Sequence, residues 1–491
     1  MHGRHRPHHS ASAPDAPRSG IRWSLLLLLS VAQLMVILDI SAVNVALPDL
    51  AQDLDIAHGD IGWTITSYSL MFGSLLLFGG RAADLLGRRR VFLTGLGMFT
   101  ASSLVTALAG DATMLFAARA GQGLGAAMLS PAALSIITTS FHGPERAKAL
   151  GVWGAVGGAG AAIGVLLGGV LTELVDWRAM FFINLPVGLL LAAGATRLLP
   201  ADATRPQWGG LDLRGALLAT ASLGALVFAM TQAQTAGWTS IQTLGIGGAS
   251  VAGLAAFAVL ELRTRRPLLR VQRLTDRAIG GGFLMMLAAS AVLFGSFLLS
   301  SLYLQDVLGT GALETGLGFL PFAVAIAAGV HAGEHLISRA GVRLPLAAGF
   351  AIAAGGMLLL SGVDPHGGYA ADVLPGMLVA GTGLGVILVA VSVAVLTGAR
   401  DDETGMLSGL NTTGHEIGGS LGVAVLATIA TGTLGGATGP AAAAGLSDGI
   451  GDAFLAAALI AAAASIAALV VLPSARIFLP KLALAPRVAV H

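Results

Sequence analysis

Leu38-Asp39-Ile40-Ser41-Ala42-Val43-Asn44-Val45-Ala46-Leu47-Pro48 closes a run that starts at Trp23 and is otherwise almost wholly apolar. On a helix, Asp39 lies about 24 Å of rise from the start of that run, at about 1.5 Å per residue. Its carboxylate therefore falls at bilayer depth. An Asp near the centre of a membrane helix costs roughly 2.5 to 3.5 kcal/mol on insertion scales and is tolerated only facing a protein interior or a watery cavity, with a partner or a proton. Asp39 is the first candidate functional residue, and the chain has to supply its partner.

The composition supports that reading. Of 491 residues, 55% are hydrophobic and 11% charged, with a mean hydropathy of +0.82, whereas about a quarter of a soluble domain is charged. The chain reads as an all-α polytopic membrane protein. A net charge of +1 points to no nucleic-acid partner, and the absence of cysteine excludes disulfides, thiolate metal sites and a cysteine nucleophile. Residues 1–22 read as a disordered cytoplasmic tail, and the apolar run that follows has no small-residue cleavage site, so it is expected to be retained as a span. The tail histidines read as solvated, and neither a metal site nor a cofactor is expected.

Apolar runs bounded by charge or Gly/Pro clusters fall near 23–48, 61–80, 91–109, 112–138, 149–171, 179–199, 212–231, 242–260, 279–304, 315–337, 344–362, 372–397, 405–431 and 451–472. These runs predict fourteen spans and place both termini on one side. With the N-terminus cytoplasmic, all but two of the 27 basic residues, Arg119 and Arg178, fall on the inner side, as the positive-inside rule requires. Asp49, Asp53, Asp55 and Asp60 then lie outside. Only the acids Asp39, Glu334 and Glu416 remain at membrane depth, and Glu334 is close enough to the inner end of its span to reach the interface.

A repeat divides the spans. Asp84-Leu85-Leu86-Gly87-Arg88-Arg89 after span 2 is echoed by Ser338-Arg339-Ala340-Gly341-Val342-Arg343 after span 10. If each half has six spans and this loop follows the second of each, the order is 6+2+6. The expected parts are a first bundle at 23–199, a linker with two extra spans at 200–278, a second bundle at 279–472 and a cytoplasmic tail at 473–491. Repeated bundles with a site between them are a common plan of secondary transporters.

Span 4 contains Arg119-Ala120-Gly121-Gln122-Gly123-Leu124-Gly125-Ala126-Ala127. Arg119 lies about 11 Å and Asp39 about 14 Å below the outer ends of their spans, so the two are matched in depth. Pairing favours the ionised carboxylate and desolvation the neutral one; proton coupling needs that balance to change between outward-open and inward-open states. A permanently ionised structural pair fits the same residues. In span 5, Gly160, Gly164 and Gly168 recur every fourth residue and form a small-residue face for gating or for dense helix packing.

These pieces together resemble the Major Facilitator Superfamily, and within it the fourteen-span drug:proton antiporter branch. The span 1 motif L-D-x-T-x-V-N-V-A-L-P is met by Leu38, Asp39, Val43, Asn44, Val45, Ala46, Leu47 and Pro48, with Ser41 in place of Thr. The loop motif G-x-x-x-D-R-x-G-R-R is met by Gly80, Asp84, Gly87, Arg88 and Arg89, with Leu85 in place of Arg, which leaves the charge network around Asp84 incomplete. The span 4 motif R-x-x-Q-G-x-G-A-A is complete from Arg119 to Ala127. The span 5 motif carries Gly-Pro where this chain has Gly164-Val165, so the kink is absent while the glycine face survives. Trp177-Arg178-Ala179-Met180-Phe181-Phe182-Ile183-Asn184-Leu185-Pro186 also looks like that branch's entry to span 6.

In the second half, Asn411-Thr412-Thr413-Gly414-His415-Glu416 runs into span 13, and Glu416 lies about 17 Å from the cytoplasmic end. A midplane Glu can take a proton or pair with a cationic substrate, and the neighbouring imidazole of His415 is of the type that titrates near neutral pH. Adjacent helix positions point about 100° apart, so Glu416 is preferred over His415; an interhelical hydrogen bond is the plain role for His415. The candidate proton-coupling residues are Asp39, Arg119 and Glu416. The candidate substrate residues are Glu416, His415, Asn44 and Gln122, and the candidate gating residues are Gly80, Asp84, Gly87, Arg88, Arg89, Gly160, Gly164 and Gly168.

The resemblance implies a proton-coupled exporter of small amphipathic organic compounds, a multidrug or antibiotic efflux protein of the cell membrane, expected as a monomer. A specific exporter of one endogenous metabolite and a proton-coupled uptake symporter are the alternatives. No G-x-x-x-x-G-K-[ST] loop is possible, since Lys148 and Lys481 follow Ala147 and Pro480. The chain also lacks H-E-x-x-H, so an enzyme is not expected.

Overall fold

The computed structural model describes residues 19–56, 61–202, 206–207, 212–397, 399–400, 402–432 and 440–483. The expectations for residues 1–18 and 484–491 lie outside this set, as does the side chain of Asn44. The first half contains α1 (Ser19–Asp53), α2 (Trp63–Leu86), α3 (Arg88–Ala107), α4 (Ala112–Ser140), α5 (Gly143–Leu174), a one-turn α6 (Ala179–Phe182) and α7 (Asn184–Leu198). A hairpin of α8 (Leu213–Ala236) and α9 (Ile241–Arg263) follows. The second half contains α10 (Ile279–Leu302), α11 (Ala312–Gly318), α12 (Leu320–Ala340), α13 (Arg343–Leu360), α14 (Leu374–Leu396), α15 (Thr404–Gly432) and α16 (Pro440–Val471), and α17 (Ala475–Ala483) closes the described chain. Two boundaries differ from expectation. The N-terminal helix starts at Ser19, inside the stretch read as tail, and α17 occupies the start of the C-terminal tail, burying Phe478.

Side-chain caps start several of these helices. Asp111 accepts the N–H of Met114 at 2.9 Å at the head of α4, and Asp212 accepts that of Gly215 at 2.9 Å at the head of α8. Each satisfies one of the free donors of a first turn. Twelve helices among the described residues are long and apolar enough to cross a membrane. The fourteen spans expected from the sequence are therefore matched by twelve on this measure. The two others, α5 and α15, have 32 and 29 residues. Several α5 side chains lie outside the described set, and α15 carries the polar stretch from Ser408 to Glu416.

The halves repeat one another. Gly87 turns α2 into α3 with φ +105°, and Gly341 turns α12 into α13 with φ +68°, a region glycine enters without steric penalty. In the first half, α4 packs against both α2 and α3, and α1 against α5. In the second, α14 packs against α12 and α13, and α10 against α15. Between the halves, α2 meets α15 and α5 meets α12. Thus α2 and α5 of the first half face α15 and α12 of the second. Through α8, the extra hairpin leans on both α2 and α15, covering one seam between the halves.

Candidate functional site

Asp39 and Arg119 meet as a direct ion pair, both almost fully buried. Their surroundings are polar on every side. Gln122 Nε2 donates to Asp39 Oδ1 at 2.8 Å, and Asn184 Nδ2 donates to the same oxygen at 3.2 Å. Arg119 donates to Gln122 Oε1 at 2.9 Å and, through Nε, to the Thr64 carbonyl at 3.1 Å. Ser103 accepts from Gln122 at 2.7 Å and from Asn184 at 3.1 Å, and Thr106 donates to Gln122 Oε1 at 3.1 Å. The ring of Tyr68 covers the guanidinium, 4.4 Å from its centroid. Charges withdrawn from water need such a network, because a buried pair is stable only when its remaining lone pairs and protons are satisfied. Five helices, α1, α2, α3, α4 and α7, each contribute to it.

The ion pair does not face the centre of the molecule. Ile37, Ile40 and Ser41 of α1 line a cavity of about 90 Å³ between the halves, and Asp39 points to the opposite side of the same helix. Phe72, Trp153, Met286 and Phe294 add apolar wall, while Gln33, Ser130, Ser392 and Asn411 add polar points. Ser130 donates to Gln33 at 2.8 Å across α4 and α1. The described wall holds no Arg or Lys.

Glu416 and His415 both reach this cavity. The sequence suggested that neighbours 100° apart cannot share one spot; the cavity wraps far enough around α15 to take both. They differ in how they are held. The imidazole of His415 lies 2.6 Å from Ser290 Oγ on α10 and against the ring of Phe294, with centroids 5.2 Å apart. Glu416 has no hydrogen-bond or ion-pair partner among the described residues. Gln122, expected near substrate, is instead fully buried in the Asp39 network. Glu334 sits on α12 against α5, beside Gly151.

The loop residues form a clasp at the other end of α2. Asp84 accepts the N–H groups of Gly405 at 2.8 Å and Met406 at 2.9 Å, so a carboxylate of the first half caps α15 of the second. Gly80 permits the approach, since a Cβ there would lie 2.2 Å from the Gly405 carbonyl oxygen. Arg88 lies 3.6 Å from Asp84. The missing Arg at Leu85 has a substitute one turn earlier: Arg81 donates to the Asp402 carbonyl at 3.2 Å. Arg89 closes the end of α7 by donating to the carbonyls of Thr196 and Leu199 at 2.8 and 3.2 Å.

Two further arginines complete the clasp. Arg270 bonds Glu403 and, at 3.0 Å, Asp402; Arg273 Nε donates to Glu403 at 3.0 Å. Burial works to raise the Asp402 carboxyl, but the hydrogen bond and charge of Arg270 outweigh it and hold the group below the usual carboxylate range. Gly160, Gly164 and Gly168 pack on α1; a Cβ at Gly164 would lie 2.6 Å from that of Ser41. The glycine face thus joins two helices of one half.

Sequence reasoning missed several of these residues. Asn184, Ser103, Thr64 and Tyr68 are polar positions in apolar spans, a weak signal that only the Asp39–Arg119 pair makes readable. Arg270, Arg273 and Glu403 were visible as charge but not as partners. Comparison with known proteins gives a consistent picture. Residues 29–423 match the Major Facilitator Superfamily. The chain is 40% identical to the puromycin resistance protein pur8 of Streptomyces alboniger, over 86% of this chain and 84% of that one. It is 38% identical to the cephamycin export protein CmcT of Amycolatopsis lactamdurans, over 90% of each. Among solved structures, it is similar in fold to the human organic anion transporter MFSD10 (TETRAN), with a TM-score of 0.62 at 17% identity, covering 90% of this chain and 99% of that one.

Proposed function

Because the chain belongs to the Major Facilitator Superfamily, we propose that it is a proton-coupled exporter of small amphipathic organic compounds, antibiotics among them, working by alternating access. The observation that carries this reading is one wall with a carboxylate on each side. Asp39 is paired behind the wall, and Glu416 is unpaired within the cavity. Protons act at Asp39 with Arg119, and at Glu416. Substrate lies against Phe72, Trp153 and Phe294, with Glu416 and His415 as its polar contacts; the Asn44 side chain is a further candidate for this role. The names of the relatives, one a puromycin resistance protein and one a cephamycin exporter, support export of such compounds.

The topology proposed is fourteen spans in a 6+2+6 order, with α5 and α15 as spans beside the twelve. The bundles lie at 23–199 and 279–472, the linker at 200–278 carries the extra hairpin, both termini are cytoplasmic, and the working unit is a monomer. The proton gradient is a sufficient drive. One charge moving through 100 mV is worth about 2.3 kcal/mol, which sustains roughly a fiftyfold gradient of a neutral substrate.

Everted vesicles test the reading. With the lumen acidified, a labelled cationic drug should accumulate inside, and a protonophore should abolish the accumulation. Accumulation indifferent to the protonophore would refute proton coupling. Export of a single endogenous metabolite is favoured by the name of CmcT. Protection of cells against one compound in a panel, rather than several of different structure, would establish it.

A further inference from the structure

Two hydroxyls beside Arg119 have no partner. Thr64 Oγ1 and Tyr68 Oη are buried without a hydrogen bond, although the residues that carry them already touch the guanidinium. The Thr64 carbonyl accepts from Arg119 Nε, and the Tyr68 ring lies over the charge. Positions 64 and 68 share one face of α2, one turn apart. An orphaned buried hydroxyl is unfavourable, and here two stand together beside a buried cation.

We propose that Thr64 and Tyr68 are the standby partners of Arg119, the acceptors that take its N–H groups when Asp39 becomes protonated. The proposal rests on the reading of Asp39 as a proton site. A proton from the outer solution adds to the Asp39 carboxylate, and Arg119 keeps its own proton and charge. The cation then faces a neutral carboxyl in a site closed to water and needs other oxygens. The hydroxyls of Thr64 and Tyr68 supply them without moving a helix.

The electrostatic neighbourhood is simple enough for this exchange to govern it. Asp39 is the only ionisable side chain of α1 from Trp23 to Pro48, and Arg119 the only one of α4 from Ala112 to Thr139. Tyr68 is the only one of α2 from Trp63 to Gly80, and α3 from Gly95 to Ala107, α5 from Ala149 to Thr172 and residues 179–196 bring none. Across the cavity wall, Glu416 of α15 is also within electrostatic reach of Tyr68. Tyr68 therefore stands between the two carboxylates, in contact through its ring with Phe72 of the cavity wall, centroids 5.7 Å apart.

The test is the pH profile of drug uptake into proteoliposomes containing the full-length protein. Removing standby acceptors makes protonation of Asp39 harder, so Tyr68→Phe and Thr64→Val should each move the half-maximal pH to more acid values, by about half a unit or more, and the double variant further. Thr64→Ser restores a hydroxyl and should keep the parent profile. Drug binding to detergent-purified protein at alkaline pH should be unchanged in all of them, which shows that they fold. Unshifted profiles in both single variants and the double variant would overturn the proposal. Asp39→Asn in the same assay separates the two levels of the argument: full proton-driven uptake in that variant would sink the reading of Asp39 itself, whereas its loss alongside unshifted Tyr68 and Thr64 variants would sink only the standby role.

Discussion

Asp39 and Glu416 are both carboxylates set within long helices, and the structure treats them in opposite ways. Asp39 has an arginine, a glutamine and an asparagine on its two oxygens and lies behind the cavity wall. Glu416 lies on the cavity with no such partner among the described residues. On the function proposed above, the first arrangement holds until a proton enters, and the second is open to whatever occupies the cavity. One residue would then sense the gradient through a rearrangement of its bundle, the other exchange a proton for a substrate cation directly.

The comparison is broken most severely at Asp39. Asp39→Asn keeps the shape but leaves Arg119 buried without its counter-charge, and breaking such a pair costs about 3–5 kcal/mol. Proton-driven uptake should fall by two orders of magnitude or more, and thermal unfolding in detergent should occur several degrees lower. Measured uptake close to parental would show that the pair is only structural.

Glu416→Gln is the matching change on the other side of the wall. No partner is orphaned, so the unfolding temperature should stay within about a degree, consistent with the small effect expected where no contact is lost. Uptake of a cationic drug should fall about tenfold or more, with a smaller loss for a neutral compound of similar size. Equal losses for both compounds would assign Glu416 to proton transfer rather than to recognition of charge.

Much of this contrast was legible in the sequence, for physical reasons that also mark where legibility ended. The cost of charge in hydrocarbon singles out Asp39, Arg119 and Glu416 from spacing alone, and depth matching pairs the first two. The repeat survives because Gly87 and Gly341 both need a backbone that other residues resist. Facing direction was not readable: Gln122 and Asp39 turn away from the cavity because five helices converge behind α1, and convergence is a tertiary fact. The substitute for the Arg missing at Leu85 was hidden for a similar reason. Arg81 shares a helix face with Leu85, but its partner is a backbone carbonyl at residue 402, more than three hundred residues away.

The clasp at the Leu86 end of α2 sharpens the comparison from the other end of the bundle. Asp84→Asn retains one acceptor oxygen for the α15 N-terminus but loses the charge, and N-cap and helix-dipole effects are about 0.5–2 kcal/mol. A spin-label pair across α2 and α15 should then report a several-fold larger population separated at that end.

The smallest effect is expected at Asp402. Its carboxyl is held below the usual range by Arg270, so the stabilisation it adds is fully present above the unfolded pKa of about 3.9 and is lost only as pH falls through the still lower folded value. Between pH 8 and 5 the contact from Arg270 to Asp402 therefore stays ionised. The spin-label distances across the clasp in the parent protein should be unchanged over that interval when drug and gradient are absent. Arg270→Ala, which leaves Glu403 to Arg273 and Asp402 to Arg400 alone, should widen the distribution equally at both pH values. A clasp that opened in the parent protein between pH 8 and 5, but not in Asp39→Asn, would show that the clasp follows protonation of Asp39 at a distance. Opening that persisted in Asp39→Asn would instead place the titrating group at the clasp itself and reverse the assignment.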